Sequence, residues 1–155
     1  MGDAVAQYDI FTAASVDNAG GQGGWAAIVT AAAQPRVLQG TAEASIDGLE
    51  LLAMLAGLAV VPPTATVRLI TRSTRLYRGL TVERERWRAA GWRRAGGQPL
   101  GYGGLWQRLD TAFRRRTVSF SHERDLLGPS SLGRVHGLAR AATGRGSRRA
   151  GPGPG

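Results

Sequence analysis

Arginine is the residue whose number and position in this chain most directly suggest chemistry. The chain has twenty basic residues, all of them Arg, and thirteen fall between residues 68 and 116, where only three acids accompany them. A guanidinium group binds phosphate oxygens through two parallel hydrogen bonds and stacks on bases. Because a phosphate backbone is the commonest polyanion that such a cluster binds, the pattern favours nucleic acid as a partner.

Indole side chains stand inside the densest part of this cluster. An indole ring can stack on a base, although packing inside the protein is the competing interpretation, and for Trp106 packing is what we expect. The arginines could likewise form only a solvated surface. However, residues 81–94 contain five Arg and only two acids, and this excess of positive charge favours contact with phosphate. The residues that we predict to contact nucleic acid in this region are Arg75, Arg84, Arg86, Trp87, Arg88, Trp92, Arg93 and Arg94.

The composition excludes several kinds of site. The chain has no Cys, so disulfides, thiolate metal sites and cysteine nucleophiles are excluded. The longest apolar run, Leu49–Val61, contains Glu50 and is too short to span a bilayer. We expect a soluble cytoplasmic protein that makes no contact with a membrane and carries no cofactor.

Alternating apolar residues in the first third of the chain predict an antiparallel meander. Its three strands are expected near Gln7–Ala14, Gly23–Ala31 and Arg36–Glu43. Asp47, with Glu50 three residues later, has the spacing of a capping box and predicts the start of a mostly buried helix.

The remainder of the chain predicts alternating helices and strands. Val67–Thr71 follows a helix, so it is expected to lie parallel to the first strand through a right-handed crossover. Thr117–Ser121 is a fifth strand. Helices are predicted at Ser73–Gly79, Thr81–Ala90, Leu105–Arg116 and Leu132–Ala142. The expected fold is α/β, with a five-stranded mixed sheet of three antiparallel strands followed by parallel strands, flanked by helices.

The predicted organisation is one domain with short ends. Residues 1–6 are an N-terminal extension, and residues 7–142 form the domain, with a basic protrusion at about 81–100. Residues 143–155 combine Gly, Pro and Arg without an apolar anchor, which predicts a disordered basic tail.

Several strings in this order resemble the bacterial type 1 ribonuclease H family. The segment RWRAAGWRRAGGQPLGYGGLWQRLDTAF, Arg86–Phe113, resembles the family's basic protrusion and the helix after it. The strings GLELLAML, LITRSTRLYRGL and RVHGLARAA resemble its first helix, its fourth strand with the following helix, and its last helix. The resemblance covers about residues 7–142 and implies a ribonuclease H-like fold.

The resemblance also implies two-metal phosphodiester hydrolysis, in which four carboxylates hold the ions. The matching positions carry Ala13, Glu50, Arg72 and His136, so only one acid remains. We expect Arg72 to pair with Glu50, no metal to bind, and the chain to be a pseudoenzyme rather than an enzyme. Asn18, beside the position of an Asn that the family often uses in the Gly-rich turn, is a further candidate for contact with nucleic acid.

Three hypotheses follow. The first is a catalytically inactive protein that binds an RNA/DNA hybrid or a duplex of A-form character through the Arg-rich protrusion. The second is a structural or interaction subunit of a larger assembly that contains RNA or protein. The third is an atypical metal-dependent hybrid endoribonuclease that recruits Asp17, Asp47 or a carboxylate of a partner.

Overall fold

The computed structural model describes residues 6–17, 22–31, 35–123 and 131–149. Five strands form one sheet in the order β3-β2-β1-β4-β5. The strands are β1 (Gln7–Val16), β2 (Gln22–Thr30), β3 (Arg36–Glu43), β4 (Thr66–Thr71) and β5 (Thr117–His122). β1 to β3 pair antiparallel, whereas β4 lies parallel to β1 and β5 lies parallel to β4. The predicted mixed sheet is confirmed, including the parallel crossover.

The helices lie between and after these strands. They are α1 (Ile46–Ala59), α2 (Thr74–Arg78), α3 (Arg84–Ala89), α4 (Gly103–Arg114) and α5 (Ser131–Arg149), and a π-helical turn at Gly79–Glu83 joins α2 to α3. Within the described part of the chain, no helix is long and apolar enough to cross a membrane.

The start of α1 and the end of α5 depart from the prediction. The N-cap of α1 is Ser45, whose Oγ accepts a hydrogen bond from the backbone N–H of Gly48 at 3.3 Å, so the prediction of Asp47 as the cap was wrong. α5 continues past Ala142 to Arg149, so residues 143–149 are helical where a disordered tail was predicted. Residues 150–155 of the predicted tail and residues 1–5 of the predicted extension lie outside the described residues.

Apolar side chains cover both faces of the sheet. One cluster packs α1 and α4 against the strands and includes Met54 and Leu109. The other joins α5 to β1 and β2, and small residues allow a close approach there. A Cβ on Gly24 would lie 2.4 Å from the backbone N of Thr143 and 2.5 Å from the carbonyl O of Ala139, so only glycine fits. This packing holds α5 against the strands that carry the candidate site.

Candidate functional site

Glu50, Arg72 and His136 come together where the carboxyl ends of the parallel strands β1 and β4 meet, which is the usual ligand position of such sheets. Arg72 directly follows β4, and the other two side chains come from α1 and α5. The three side chains line one cavity of about 210 Å³, together with Ala14, Ile46 and Ser73. Ala13, the fourth position of the resemblance, is fully buried on β1 beside Ala14. The fold therefore brings three of the four positions to one cavity, and the fourth is buried on β1.

Glu50 is held by two hydroxyl groups. Its Oε2 accepts a hydrogen bond from Thr71 Oγ1 at 2.5 Å and one from Thr12 Oγ1 at 3.0 Å. The predicted pairing with Arg72 was therefore wrong, because Glu50 is buried between strand hydroxyls whereas Arg72 is exposed. Burial raises the pKa of Glu50 to about 7, against the opposing effect of both hydroxyl donors. The carboxyl group is thus partly protonated at neutral pH.

His136 is a half-buried imidazole on α5. Burial lowers its pKa, and the positive charges of Arg72 and Arg140 lower it further. The ring is consequently neutral at neutral pH, and it offers one N–H donor and one acceptor.

His122 is a residue near this site whose position sequence reasoning missed. It ends β5, and its Nε2 lies 3.1 Å from the carbonyl O of Arg72 and 3.3 Å from Thr74 Oγ1. Its ring also stacks on Tyr77, with 5.5 Å between centroids. The pairing of Thr71 with His122 across the parallel strands places it there, and only the strand register could have indicated this.

The residues present do not fit a pair of divalent cations. Among the described residues, no three His, Asp or Glu side chains come close enough together to hold a metal ion. Asp47, which our third sequence hypothesis recruits, forms an ion pair with Arg75 at 3.0 Å. Because Mg²⁺ prefers several oxygen ligands and is repelled by a guanidinium, Arg72 opposes its binding.

A buried carboxylate organises the protrusion. Asp110 on α4 accepts hydrogen bonds from Arg84 at 2.8 Å and from Arg88 at 2.8 and 2.9 Å. Burial would raise the pKa of Asp110, but the hydrogen bonds from Arg88 and Arg84 outweigh it and lower the pKa. Arg84 and Arg88, which we predicted to contact nucleic acid, therefore have a structural role in fixing α3 on α4.

The two indoles of the protrusion make different contacts. Trp87 packs edge-on against buried Trp106, with 5.1 Å between ring centroids, which confirms the expectation that Trp106 belongs to the core. Trp92 has a left-handed backbone (φ 64°), and its N–H donates to the carbonyl O of Trp87 at 2.7 Å. Its own carbonyl accepts from the N–H of Leu100 at 3.1 Å. These bonds fold the loop back on itself and leave Trp92 half-buried.

The other predicted contact residues lie on exposed parts of α2, α3 and the loop after it. Arg75 pairs with Asp47, Arg86 pairs with Glu83, and Arg93 donates to the carbonyl O of Gly97 at 3.0 Å. Arg94 has no carboxylate partner within the described part of the chain. Asn18 lies outside the described residues.

Tyr102 connects the protrusion to the helix that carries Glu50. Its hydroxyl oxygen accepts a hydrogen bond from the backbone N–H of Ser45 at 2.8 Å, at the N-cap of α1. The ring lies against Gly48, where an added Cβ would approach it to 2.6 Å. Arg94 and Arg75 line a cavity of about 260 Å³ together with Tyr102 and Trp87. Tyr102 thus ties the segment after the protrusion to the start of α1, the helix that carries Glu50.

Proteins of a known family are similar to this chain in sequence. The family model described as RNase H matches residues 6–124. A protein of Mesorhizobium japonicum named Ribonuclease H is 33% identical over 135 residues, covering 86% of this chain and 76% of that protein. A protein of Pseudomonas aeruginosa named Ribonuclease HI is 31% identical over 134 residues, covering 86% of this chain and 90% of the other.

Solved structures share the fold. LC9-RNase H1, described as a type 1 RNase H with the type 2 active-site motif, superposes with a TM-score of 0.78 at 18% identity, covering 94% of this chain and 75% of the other. LC11-RNase H1, solved in complex with an RNA/DNA hybrid, superposes with a TM-score of 0.63 at 13% identity, covering 90% of this chain and 98% of the other. The predicted ribonuclease H-like fold is confirmed.

The expectation that the chain is not an enzyme is contradicted, because its relatives over most of its length are named as the enzyme ribonuclease H. That expectation came from counting acids at four positions, and such a count does not test carboxylates supplied from elsewhere. Sequence and fold agree on the classification: this chain belongs to the ribonuclease H family.

Proposed function

We propose that this protein binds RNA/DNA hybrid, or another duplex of A-form character, through contacts between arginines and backbone phosphates. The observation that carries the proposal is the arginine-rich protrusion, which Asp110 fixes on α4 through Arg84 and Arg88. A rigid surface loses little conformational entropy when it binds, so its charges act with their full effect.

The exposed side of the protrusion provides the contacts. The side chain of Arg86 on α3 is 73% exposed, and that of Arg75 on the neighbouring helix α2 is 84% exposed. An ion pair at such exposure is weak, so a phosphate oxygen can replace Asp47 or Glu83 at small cost. Trp92 lies beside this surface and can stack on a sugar or a base. The contact residues that we propose are Arg75, Arg86, Trp92, Arg93 and Arg94, with Asn18 as a further candidate.

The fold supports hybrid as the ligand. LC11-RNase H1 and the foamy viral protease-reverse transcriptase were both solved in complex with RNA/DNA hybrid, and both share the fold described here. The foamy viral enzyme was also solved with double-stranded DNA. Phosphate contacts carry no sequence information, so the proposed contacts do not select a particular base sequence.

Hydrolysis of the hybrid is a second proposed function, and the names of the relatives favour it. Because the four matching positions contribute only Glu50, metal-dependent hydrolysis would require carboxylates outside them, as in our third sequence hypothesis. Asp47 is one such group, since it precedes Glu50 by about one helical turn and its partner Arg75 is exposed.

One titration tests both functions. Labelled RNA/DNA hybrid, double-stranded RNA, double-stranded DNA and single-stranded RNA of equal length are mixed with the full chain, in EDTA and in Mg²⁺ or Mn²⁺. Retention and breakage are scored on the same samples. Binding is supported by retention of hybrid at low salt in EDTA, with single-stranded RNA held more weakly. Equal retention of all four ligands, or of none, contradicts it.

Cleavage of the RNA strand tests hydrolysis separately from binding. Metal-dependent cleavage of the RNA strand that Glu50→Gln or Asp47→Asn abolishes supports hydrolysis. Intact hybrid in both metals at saturating protein contradicts it and leaves the result for binding unaffected.

A further inference from the structure

We infer that the cavity lined by Glu50, Arg72 and His136 is a phosphate subsite, in which the Arg72 guanidinium binds directly the backbone phosphate that a ribonuclease H otherwise contacts through metal ions. This inference rests on the proposed binding of hybrid and names the place where the backbone enters the site. It follows from the same residues that make the cavity unsuited to divalent cations.

The charge of the cavity favours an anion. Arg72 is exposed, and none of the ion pairs among the described residues involves it. Among the residues that the structure describes, Glu50 is the only acid that lines the cavity, and the hydroxyl groups of Thr12 and Thr71 both donate to its Oε2. Arg140, one turn after His136 on α5, adds a second exposed positive charge close enough to act on the imidazole. A phosphate group in this cavity would lie near two positive charges and near a carboxyl group whose Oε2 already accepts two hydrogen bonds.

The cavity also has suitable donors and sufficient space. Arg72 offers five N–H groups, His136 offers one ring N–H, and Ser73 carries a hydroxyl group on the same wall. Its volume of about 210 Å³ is many times the roughly 15 Å³ that one water molecule requires, so a phosphate group and its first waters fit.

The backbone at Arg72 is held by hydrogen bonds on both sides. Its carbonyl O lies 3.1 Å from His122 Nε2, and the next residue, Ser73, donates its N–H to Thr71 Oγ1 at 3.0 Å. Because Thr71 Oγ1 in turn donates to Glu50, the segment after β4 is tied to the floor of the cavity. A guanidinium on such a support can bind a phosphate through two parallel hydrogen bonds.

Hybrid affinity of Arg72 variants tests the subsite. The full chain, Arg72→Gln, Arg72→Lys and a control, Arg115→Gln, are titrated with hybrid in EDTA over a series of salt concentrations. Arg115 carries the same charge and is also exposed, but it follows α4 and lines a different cavity. We expect Arg72→Gln to weaken binding about tenfold and to reduce the salt slope by about one phosphate, with a smaller effect for Arg72→Lys and for Arg115→Gln. Equal affinities and slopes for Arg72→Gln and Arg115→Gln overturn the inference.

Inorganic phosphate gives a test that does not depend on duplex binding. In NMR spectra of the full chain, phosphate titrated in EDTA should shift the Arg72 Nε–H signal and the His136 ring signals together, and in Arg72→Gln the His136 shift should disappear. Shifts confined to protrusion arginines overturn the subsite and leave the proposed hybrid binding standing. If the chain instead fails to retain hybrid while Arg72 and His136 respond to phosphate, the proposed function fails and the anion subsite stands.

Discussion

Thr71 donates a 2.5 Å hydrogen bond to Oε2 of Glu50, and this bond joins the end of β4 to the first turns of α1. A second hydroxyl, that of Thr12 on β1, donates to the same oxygen. The one acid that remains at the four family positions is therefore held by the sheet itself. This arrangement satisfies a buried carboxyl group without a metal ion and without a salt bridge.

Glu50 makes stability depend on pH. Its pKa is about 7 in the folded protein and 4.5 as the ordinary value, so between these pH values the folded state holds a proton that the unfolded state has lost. The contribution of Glu50 to the free energy of unfolding should therefore fall as pH rises through this window, by on the order of 3 kcal/mol, and stay constant above it. Glu50→Gln removes the effect, so the variant should gain stability relative to the parent as pH increases from 5 to 8.

Thermal or urea unfolding of both proteins across this pH range measures the difference. Glu85→Gln is the matched control, because Glu85 is an exposed carboxylate in the first turn of α3. The prediction is contradicted if the difference in free energy of unfolding between the parent and Glu50→Gln does not change with pH.

Asp110 should be the most sensitive residue of the protrusion. Asp110→Asn leaves the guanidinium of Arg84, whose side chain is only 16% exposed, without an anionic partner. We expect the free energy of unfolding to fall by about 3 kcal/mol, as when one partner of a buried pair is removed. Asp9→Asn is the control, since Asp9 pairs with Arg68, which is 41% exposed, and its loss should cost about 1 kcal/mol or less. If urea unfolding gives equal losses of free energy for Asp110→Asn and Asp9→Asn, Asp110 has no special role.

Arg93 and Arg94 should contribute affinity without contributing stability. Both are exposed, and neither forms an ion pair with a carboxylate of the described residues. In Arg93→Gln/Arg94→Gln, hybrid affinity should fall by about tenfold or more at low salt, and the salt slope should decrease by about two phosphates. The unfolding midpoint should not change. If the double variant binds hybrid as tightly as the parent chain, Arg93 and Arg94 are not part of the contact surface.

Acids at the other three family positions should create a metal site around Glu50. The triple variant Ala13→Asp/Arg72→Asp/His136→Asp places three carboxylates around Glu50 and removes the opposing guanidinium. Mg²⁺ should then raise its thermal midpoint, with a stabilisation of about 2.7 kcal/mol at a hundredfold excess over the dissociation constant. Mg²⁺-stimulated cleavage of hybrid should also exceed that of the parent chain. The same triple variant with Glu50→Gln is the control. A thermal midpoint of the triple variant that Mg²⁺ does not change would contradict this prediction.

Sequence predicted the sheet because its strands alternate in polarity, and the crossover rule then made β4 parallel to β1. The same pattern could not identify the partners of Glu50. Arg72 and Glu50 match ligand positions, so an ion pair between them is the simplest expectation, but Thr12 and Thr71 present hydroxyl groups from adjacent strands at shorter range. Threonines on strands carry no signal that distinguishes a hydrogen-bond donor to a buried acid from an ordinary β-branched residue.

The protrusion shows a similar limit. Arginine clustering indicated phosphate contact for every member, yet the structure gives Arg84 and Arg88 a buried acceptor in Asp110. The spacing of Arg84 and Arg88 on one helical face was visible in the sequence, but the partner comes from α4, more than twenty residues away. Only tertiary structure separates the arginines that hold the protrusion from those that face solvent.

The salt dependence of hybrid affinity tests the central claim most directly. The unmodified chain is titrated with hybrid in EDTA, between about 50 and about 200 mM salt, and the logarithm of the association constant is plotted against the logarithm of salt concentration. The account predicts a straight line whose slope corresponds to at least four neutralised phosphates, at about −0.9 for each. Absence of binding at the lowest salt concentration, or an affinity that does not change with salt, would contradict it.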